Sequence, residues 1–300
     1  MTLVGIHGGV TVDHIVTAPR GARFSCLGGP ALFAALGARL VAGTDVRLAA
    51  ELPAVDPRFA TLFTAVGIDL AFATTVRDVP RLWILNSGRG RRIVSLAPND
   101  IEIEAGPGAA PDGREDPAGP PSGFVAGLDG LLASNPIRRP SADADSVVGV
   151  DPDQVLLARQ GYDYLDAVVT ARTVLLPSRV QLRLCDPDPL TAAREWSRRY
   201  RVPVVARLDA EGMHVFDGAQ HWALHDPAVM VLETTGAGDS SASAIVASLA
   251  AGADPVDSAR MGMSVARLAL SRWGHEGLVA EPLHQPFPEI RTRKVETHVS

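Results

Sequence analysis

Lysine is almost missing from this chain. Lys294, near the C-terminus, is the single one among 28 basic residues, and arginine supplies the rest. That scarcity excludes several chemistries. A Walker A loop needs a lysine beside its glycines, a protein-kinase site needs one on a strand, and Schiff-base catalysis needs one buried. Cysteine is scarce too: Cys26 and Cys185 offer no disulfide framework. Aromatic residues make up 5% of the chain, and no run of basic residues offsets a net charge of −6, which argues against a nucleic-acid partner. No apolar run is long enough to cross a bilayer, and the first residues lack a basic region followed by an apolar stretch. The expectation is a soluble cytoplasmic protein without a membrane partner.

What is abundant is apolar bulk and small residues. At 46% hydrophobic, 300 residues can bury a large core. Short apolar runs at Leu3–His7, Val46–Ala50, Leu131–Ala133, Val147–Val150, Thr173–Leu176 and Val202–Ala206 predict buried strands. Helical periodicity marks Ala31–Val41, Pro57–Val66, Thr191–Tyr200, Asp239–Ala251 and Val256–Ser271. Arg81–Leu85 and Arg92–Ala97 predict a hairpin, as do Met213–Phe216 and Gln220–Ala223. The alternation predicts an α/β fold with a largely parallel sheet. Residues 104–123, crowded with proline and glycine, are expected to form a mobile loop, and residues 291–300 a C-terminal tail.

The segment Glu233-Thr234-Thr235-Gly236-Ala237-Gly238-Asp239 carries the most chemistry. Small residues leave main-chain N–H groups open where a loop enters a helix, and the helix N-terminus adds partial positive charge. Such a bend can hold an anion. An acid at the helix start can take a proton from a hydroxyl attacking that anion, so the segment suits phosphoryl transfer. The plainer alternative is a strand-to-helix turn with an acidic cap.

The same segment, followed by a small-residue helix ending at Gly252, resembles the C-terminal signature of the ribokinase family, the PfkB carbohydrate kinases. Leu27-Gly28-Gly29-Pro30, leading into Ala31–Gly37, resembles the family's Gly-Gly segment, and Asp13 matches the acid that holds substrate hydroxyls. The resemblance implies a three-layer α/β/α sandwich with a mostly parallel sheet over residues 1–290. It also implies a small β lid drawn from about residues 11–26 and 72–98. It implies transfer of the γ-phosphoryl group of ATP, with Mg²⁺, to a small-molecule alcohol: a sugar, a nucleoside or a related polyol. Asp239 would be the general base, with the amides of Gly236, Ala237 and Gly238 as anion hole. Asp13, Gly28 and Gly29 would contact the acceptor. Thr235, Arg207 and Ser178 would lie along the nucleotide, and relatives often dimerise through the lid.

The sequence departs from the family pattern at several positions. Phe33 stands where an asparagine is usual, either as an acceptor contact or as core, and Trp83 could add a stacking face on the lid or pack in the core. Ser178 and Gln181 replace Asn-x-x-Glu, which weakens Gln181 as a Mg²⁺ ligand. Glu233 replaces an aspartate near a monovalent-cation (K⁺) site. Arg207-Leu208-Asp209-Ala210-Glu211-Gly212 replaces a nucleotide loop, where Arg207 could pair with phosphate or with a surface acid, and Asp209 would repel a triphosphate unless turned away. These departures keep open a second reading, a non-catalytic sugar- or nucleotide-binding protein on the same fold. A dinucleotide-binding oxidoreductase fits poorly, because no Gly-x-Gly-x-x-Gly follows the first strand.

Overall fold

Runs such as Thr-Leu-Val-Gly-Ile-His and Val-Val-Gly-Val-Asp show no alternation of polar and apolar residues. A strand of that kind is stable only when both its faces are covered, which is the situation in a parallel sheet flanked by helices. The computed structural model describes residues 1–18, 20–87, 90–96, 102–103 and 119–296. Most of residues 104–123, including 104–118, lies outside the described residues.

In chain order, β1 (Thr2–His7) leads to β2 (Thr11–Thr17), β3 (Gly21–Gly28), α1 (Pro30–Arg39) and β4 (Thr44–Ala49). Then come β5 (Glu51–Pro53), α2 (Arg58–Ala65), β6 (Thr74–Val76), β7 (Arg81–Ser87), β8 (Gly90–Leu96) and β9 (Glu102–Ile103). The chain continues through β10 (Gly130–Ser134), β11 (Val147–Asp151), α3 (Gln154–Gln160), α4 (Tyr162–Val168) and β12 (Thr173–Leu175). After α5 (Arg179–Arg183), α6 (Pro189–Tyr200) and β13 (Val204–Arg207), the hairpin β14 (Met213–Asp217) and β15 (Gln220–His225) precedes α7 (Ala237–Ala250), α8 (Pro255–Leu270) and β16 (Arg291–Lys294).

Among the described residues, nine strands form the central sheet in the order β16-β15-β14-β13-β12-β11-β10-β1-β4. Neighbours from β13 to β4 run parallel, and the β13–β16 end is antiparallel. One apolar layer packs α1, α7 and α8 on one face of the sheet. The other layer covers the opposite face with Leu157, Tyr164, Leu165, Leu182 and Trp196 from α3–α6. The fold is therefore an α/β/α sandwich. A second sheet, β3-β2-β7-β8-β9, stands apart. No described helix is long and apolar enough to cross a membrane.

Two features position the later chemistry. The first is α7, whose small residues are buried from Ser240 to Ser248. A Cβ on Gly37 of α1 would strike the Ser240 carbonyl oxygen, and one on Gly262 of α8 would come 2.6 Å from Ile245. Only glycines there let three helices close on one another, which fixes the first turn of α7 against the sheet. The second is an edge strand: Arg291–Lys294, expected as tail, pairs with β15. Its residues do not alternate; what makes them a strand is the open row of N–H and C=O groups on β15.

Candidate functional site

The loop before α7 turns at Gly236, whose φ of 78° lies in the left-handed region. A Cβ at that position would run into the ring of Phe33. Glycine is thus demanded twice, by backbone conformation and by contact. The N–H groups of Gly236 and Gly238 meet no acceptor among the described residues, whereas that of Ala237, expected beside them, turns back to Thr234 O at 3.4 Å, so the first turn of α7 presents two open donors at the positive end of a helix. Asp239 lies in that same turn. Its carboxyl is pushed up to about 6, foremost by burial and then by the neighbouring charge of Asp151, against the pull of Arg207 and Arg91. No described side chain hydrogen-bonds it. A carboxylate that titrates near neutrality beside unfilled main-chain donors can accept a proton at physiological pH.

Asp13 and the glycines at the start of α1 form a second cluster, in which the Asp13 carboxylate lies against Gly28. Asp13 is 2% exposed and accepts a 2.6 Å hydrogen bond from Thr11. Burial, the leading cause, lifts its carboxyl to about 6; Thr11 and Arg91 oppose the shift, and Glu233 adds to it. A Cβ on Gly28 would collide with the Asp13 carboxylate, and one on Gly29 (φ 95°) would strike the main chain at Val10 and Gly9. The absence of a side chain at Gly28 is what admits the buried acid, while Gly29 lets the main chain pass close to residues 9–11.

Several other expected site residues are committed inside the protein. Phe33 is buried, with its ring against Gly236, so it underpins the loop and presents no open face. Glu233, 1% exposed, accepts from Thr234 N, Thr235 N, Thr235 Oγ1, Asn86 Nδ2 and Gly274 N. Four of these donors share Oε1, which organises the loop and leaves that oxygen poorly placed for a cation. The Thr235 hydroxyl is spent on the same carboxylate. Ser178 caps α5, and Gln181 completes its capping box by returning its Oε1 to Ser178 N at 2.5 Å. The Gln181 Nε2 donates to Asp151 Oδ1 (2.8 Å) and to the Pro152 carbonyl (2.6 Å). Gln181 is thus a strut, not a metal ligand.

Arg207 was expected at phosphate or in a surface ion pair and is found in a largely buried one. Its guanidinium donates to Asp151 Oδ2 (2.7 Å), Leu176 O (2.5 Å) and Gly238 O (2.6 Å). It ties the ends of β11 and β12 to the first turn of α7. Asp209 turns away from this cluster onto Arg179, at 3.0 Å.

Asp151 was not anticipated from the sequence. It lies at the end of β11 between Gln181 and Arg207, and its charge reaches Asp239. A short strand ending in an aspartate was the sole local signal. Asn86 was missed as well: it joins β7 to Glu233 (3.2 Å) and Thr17 (3.3 Å). Trp83 packs 4.9 Å from His14, on the face of the small sheet opposite Asp13. A cavity of about 640 Å³, lined by residues such as Phe24, Arg58 and Trp273, touches neither Asp239 nor Gly236.

A Mg²⁺ ion finds no protein cage here. No group of three or more His, Cys, Asp or Glu side chains among the described residues could hold one, and both Asp151 oxygens already accept hydrogen bonds. An anion, in contrast, fits the open donors of α7.

Comparison with known proteins bears on the same segment. Residues 163–278 match the family model for pfkB family carbohydrate kinases. An uncharacterized sugar kinase of Escherichia coli K12 is 32% identical over 87 residues, 29% of this chain and 26% of that protein. Another from Archaeoglobus fulgidus is 27% identical over 152 residues, 50% of this chain and 60% of that protein. The match thus spans about a quarter of one curated relative and under two thirds of the other. Among solved structures, the ribokinase of Cryptococcus neoformans in complex with ADP superposes with a TM-score of 0.69 at 16% identity, covering 94% of this chain and 97% of that one. The nucleoside kinase of Methanocaldococcus jannaschii gives 0.67 at 14% identity, with 95% and 96% covered. The fold is that of the ribokinase family, and the glycine-rich loop lies within the pfkB match.

Proposed function

We propose, from a ribokinase-like fold whose residues 163–278 match the pfkB carbohydrate-kinase family model, that this protein transfers the γ-phosphoryl group of ATP to a hydroxyl of a sugar or nucleoside. The observation that carries the proposal is the pairing of open N–H donors at Gly236 and Gly238 with an Asp239 carboxyl lifted to about 6. Its setting in the cytoplasm follows from the same reading, since ATP is the donor.

In this reading the γ-phosphate rests on the first turn of α7, where charge that builds on the transferred group meets donors already in place. Asp239 takes the proton of the attacking hydroxyl. Such a base contributes ~10²–10⁴-fold to rate. Asp13, seated against Gly28, holds other hydroxyls of the acceptor. Arg207 acts as a positioning residue, gripping the Gly238 carbonyl so that the donors keep their direction. Glu233 does the same for Thr234 and Thr235. Any Mg²⁺ would be held by the nucleotide phosphates, where it would offset their charge, since Asp151 and Gln181 are engaged in hydrogen bonds. The sheet β3-β2-β7-β8-β9 acts as the lid, with Asn86 as its link to the loop.

The commitment of Arg207 and Gln181 to internal partners favours one alternative, a protein that binds nucleotide or sugar without transfer. ADP release from Mg·ATP in the presence of D-ribose, D-fructose, adenosine, inosine or myo-inositol separates the two. Turnover with at least one of these alcohols is expected. Nucleotide binding without ADP release from any of them would replace the kinase by the binding protein.

A further inference from the structure

Phosphoryl transfer concentrates negative charge, and this site holds few free cations with which to meet it. Lys294 is on the outermost strand of the main sheet. Of the two arginines whose charge reaches Asp239, Arg207 is committed to Asp151 and two main-chain carbonyls. The other is Arg91. It is exposed and makes no hydrogen bond or ion pair among the described residues, yet its charge acts on both Asp13 and Asp239.

The strand register shows why. Thr17, Asn86 and Arg91 lie side by side across β2, β7 and β8. Because side chains alternate along a strand, this row shares its face with Asp13. The middle member, Asn86, donates to Glu233 at the mouth of the glycine loop. Its amide Oδ1 is buried and has no hydrogen-bond partner among the described residues. Arg91 thus projects from the small sheet on the side facing the loop, next to an acceptor left open.

We propose that Arg91 is a catalytic residue of the lid, placed to contact the phosphoryl group as it passes from the α7 loop to the acceptor hydroxyl beside Asp13. This rests on the kinase reading above. In the step itself, the acceptor O–H gives its proton to Asp239 and its oxygen forms a bond to the γ-phosphorus. The bond from that phosphorus to the bridging oxygen breaks, and the electron pair leaves on the β-phosphate of ADP. Arg91 meets the charge on the three equatorial oxygens of the group in transit. A planar guanidinium suits that task, since it presents paired donors and stays charged at any physiological pH. Its remaining donor can fill the open Asn86 Oδ1 as the lid settles.

The test uses the whole chain and two readouts. Turnover is measured with Mg·ATP and the best alcohol from D-ribose, D-fructose, adenosine, inosine and myo-inositol. Thermal stabilisation is measured with Mg·ADP alone and with Mg·ADP plus fluoroaluminate, which imitates the group in flight. For Arg91→Gln we expect kcat to fall ~10²–10³-fold. The shift with Mg·ADP should stay within error of the wild type, and the added shift from fluoroaluminate should vanish. Arg91→Lys should restore part of kcat. An unchanged kcat, an intact fluoroaluminate shift, or a rise in acceptor KM without loss of kcat would each overturn the assignment of Arg91 alone. A wild type that neither binds Mg·ADP nor transfers phosphate would overturn the kinase reading, and the assignment with it.

Discussion

Replacing Asp239 by asparagine should make the protein more stable above neutral pH while nearly abolishing turnover. The carboxyl rises from an ordinary value of 3.8 to about 6 on folding, with burial as the leading cause. Between those values the native state binds more protons than the unfolded chain, so stability falls as pH rises through the window. Above about 6 the penalty is complete. A shift of this size corresponds to at most ~3 kcal/mol, and partial solvent access to Asp239 reduces it to ~1–2 kcal/mol. Asparagine keeps the shape and never ionises. Urea unfolding at pH 8 should therefore place Asp239→Asn ~1–2 kcal/mol above the wild type, a gap that narrows as pH is lowered toward 4. Turnover should drop at least ~10²-fold, as for a missing general base. A variant that is less stable at pH 8, or whose advantage is the same at both ends of the range, would show that Asp239 bears no ionisation penalty. Full turnover would remove it from the chemistry.

Three further outcomes follow from the same geometry. Gly236→Ala should cost ~2–4 kcal/mol in urea unfolding, from positive φ and from the Phe33 ring together, and the cost should shrink when Phe33→Ala is combined with it, measured as a double-mutant cycle. Gln181→Glu, which would supply the carboxylate usual in the family pattern, should lower stability by ~2–4 kcal/mol, because it sets an acid against Asp151 and removes the donor to Pro152; unchanged stability would mean the strut does not form. The acid limb of the pH–turnover profile should fall near 6 in the wild type and move lower in Asp151→Asn, since removing that charge eases ionisation of Asp239; a limb that stays or rises would contradict the placement of Asp151.

The glycine loop and α7 were legible because their constraints are local. Gly236, Gly238 and Asp239 are contiguous, and the small residues that follow can serve little but a tightly buried helix. The parallel strands were legible for a similar reason: a run such as Val147–Val150 has no polar face to expose. Arg291–Lys294 was not, because its strand exists through an edge some 70 residues away and its own residues suggest only a charged tail. Phe33 was ambiguous in the same way. Its apolar character was plain, but which of two surfaces it met depended on the left-handed turn at Gly236, over 200 residues later.

Asp151, Arg207 and Gln181 show why departures from a pattern are hard to weigh one at a time. Taken singly, an arginine in place of a nucleotide loop and an amide in place of a carboxylate look like lost function. In the fold they compensate. Gln181 supplies a donor where an acid would have repelled Asp151, Asp151 neutralises Arg207, and the two Nη atoms of Arg207 also reach Leu176 and Gly238, while its buried Nε meets no partner among the described residues. A buried pair of this kind contributes little net stability and becomes costly when one member is removed, so the three must be retained together. Its consequence for chemistry is a shift in where positive charge comes from. With its arginine spoken for, the α7 loop must rely on main-chain donors and on whatever cation the small sheet brings down, which directs attention to a residue on a strand that no loop motif would have singled out.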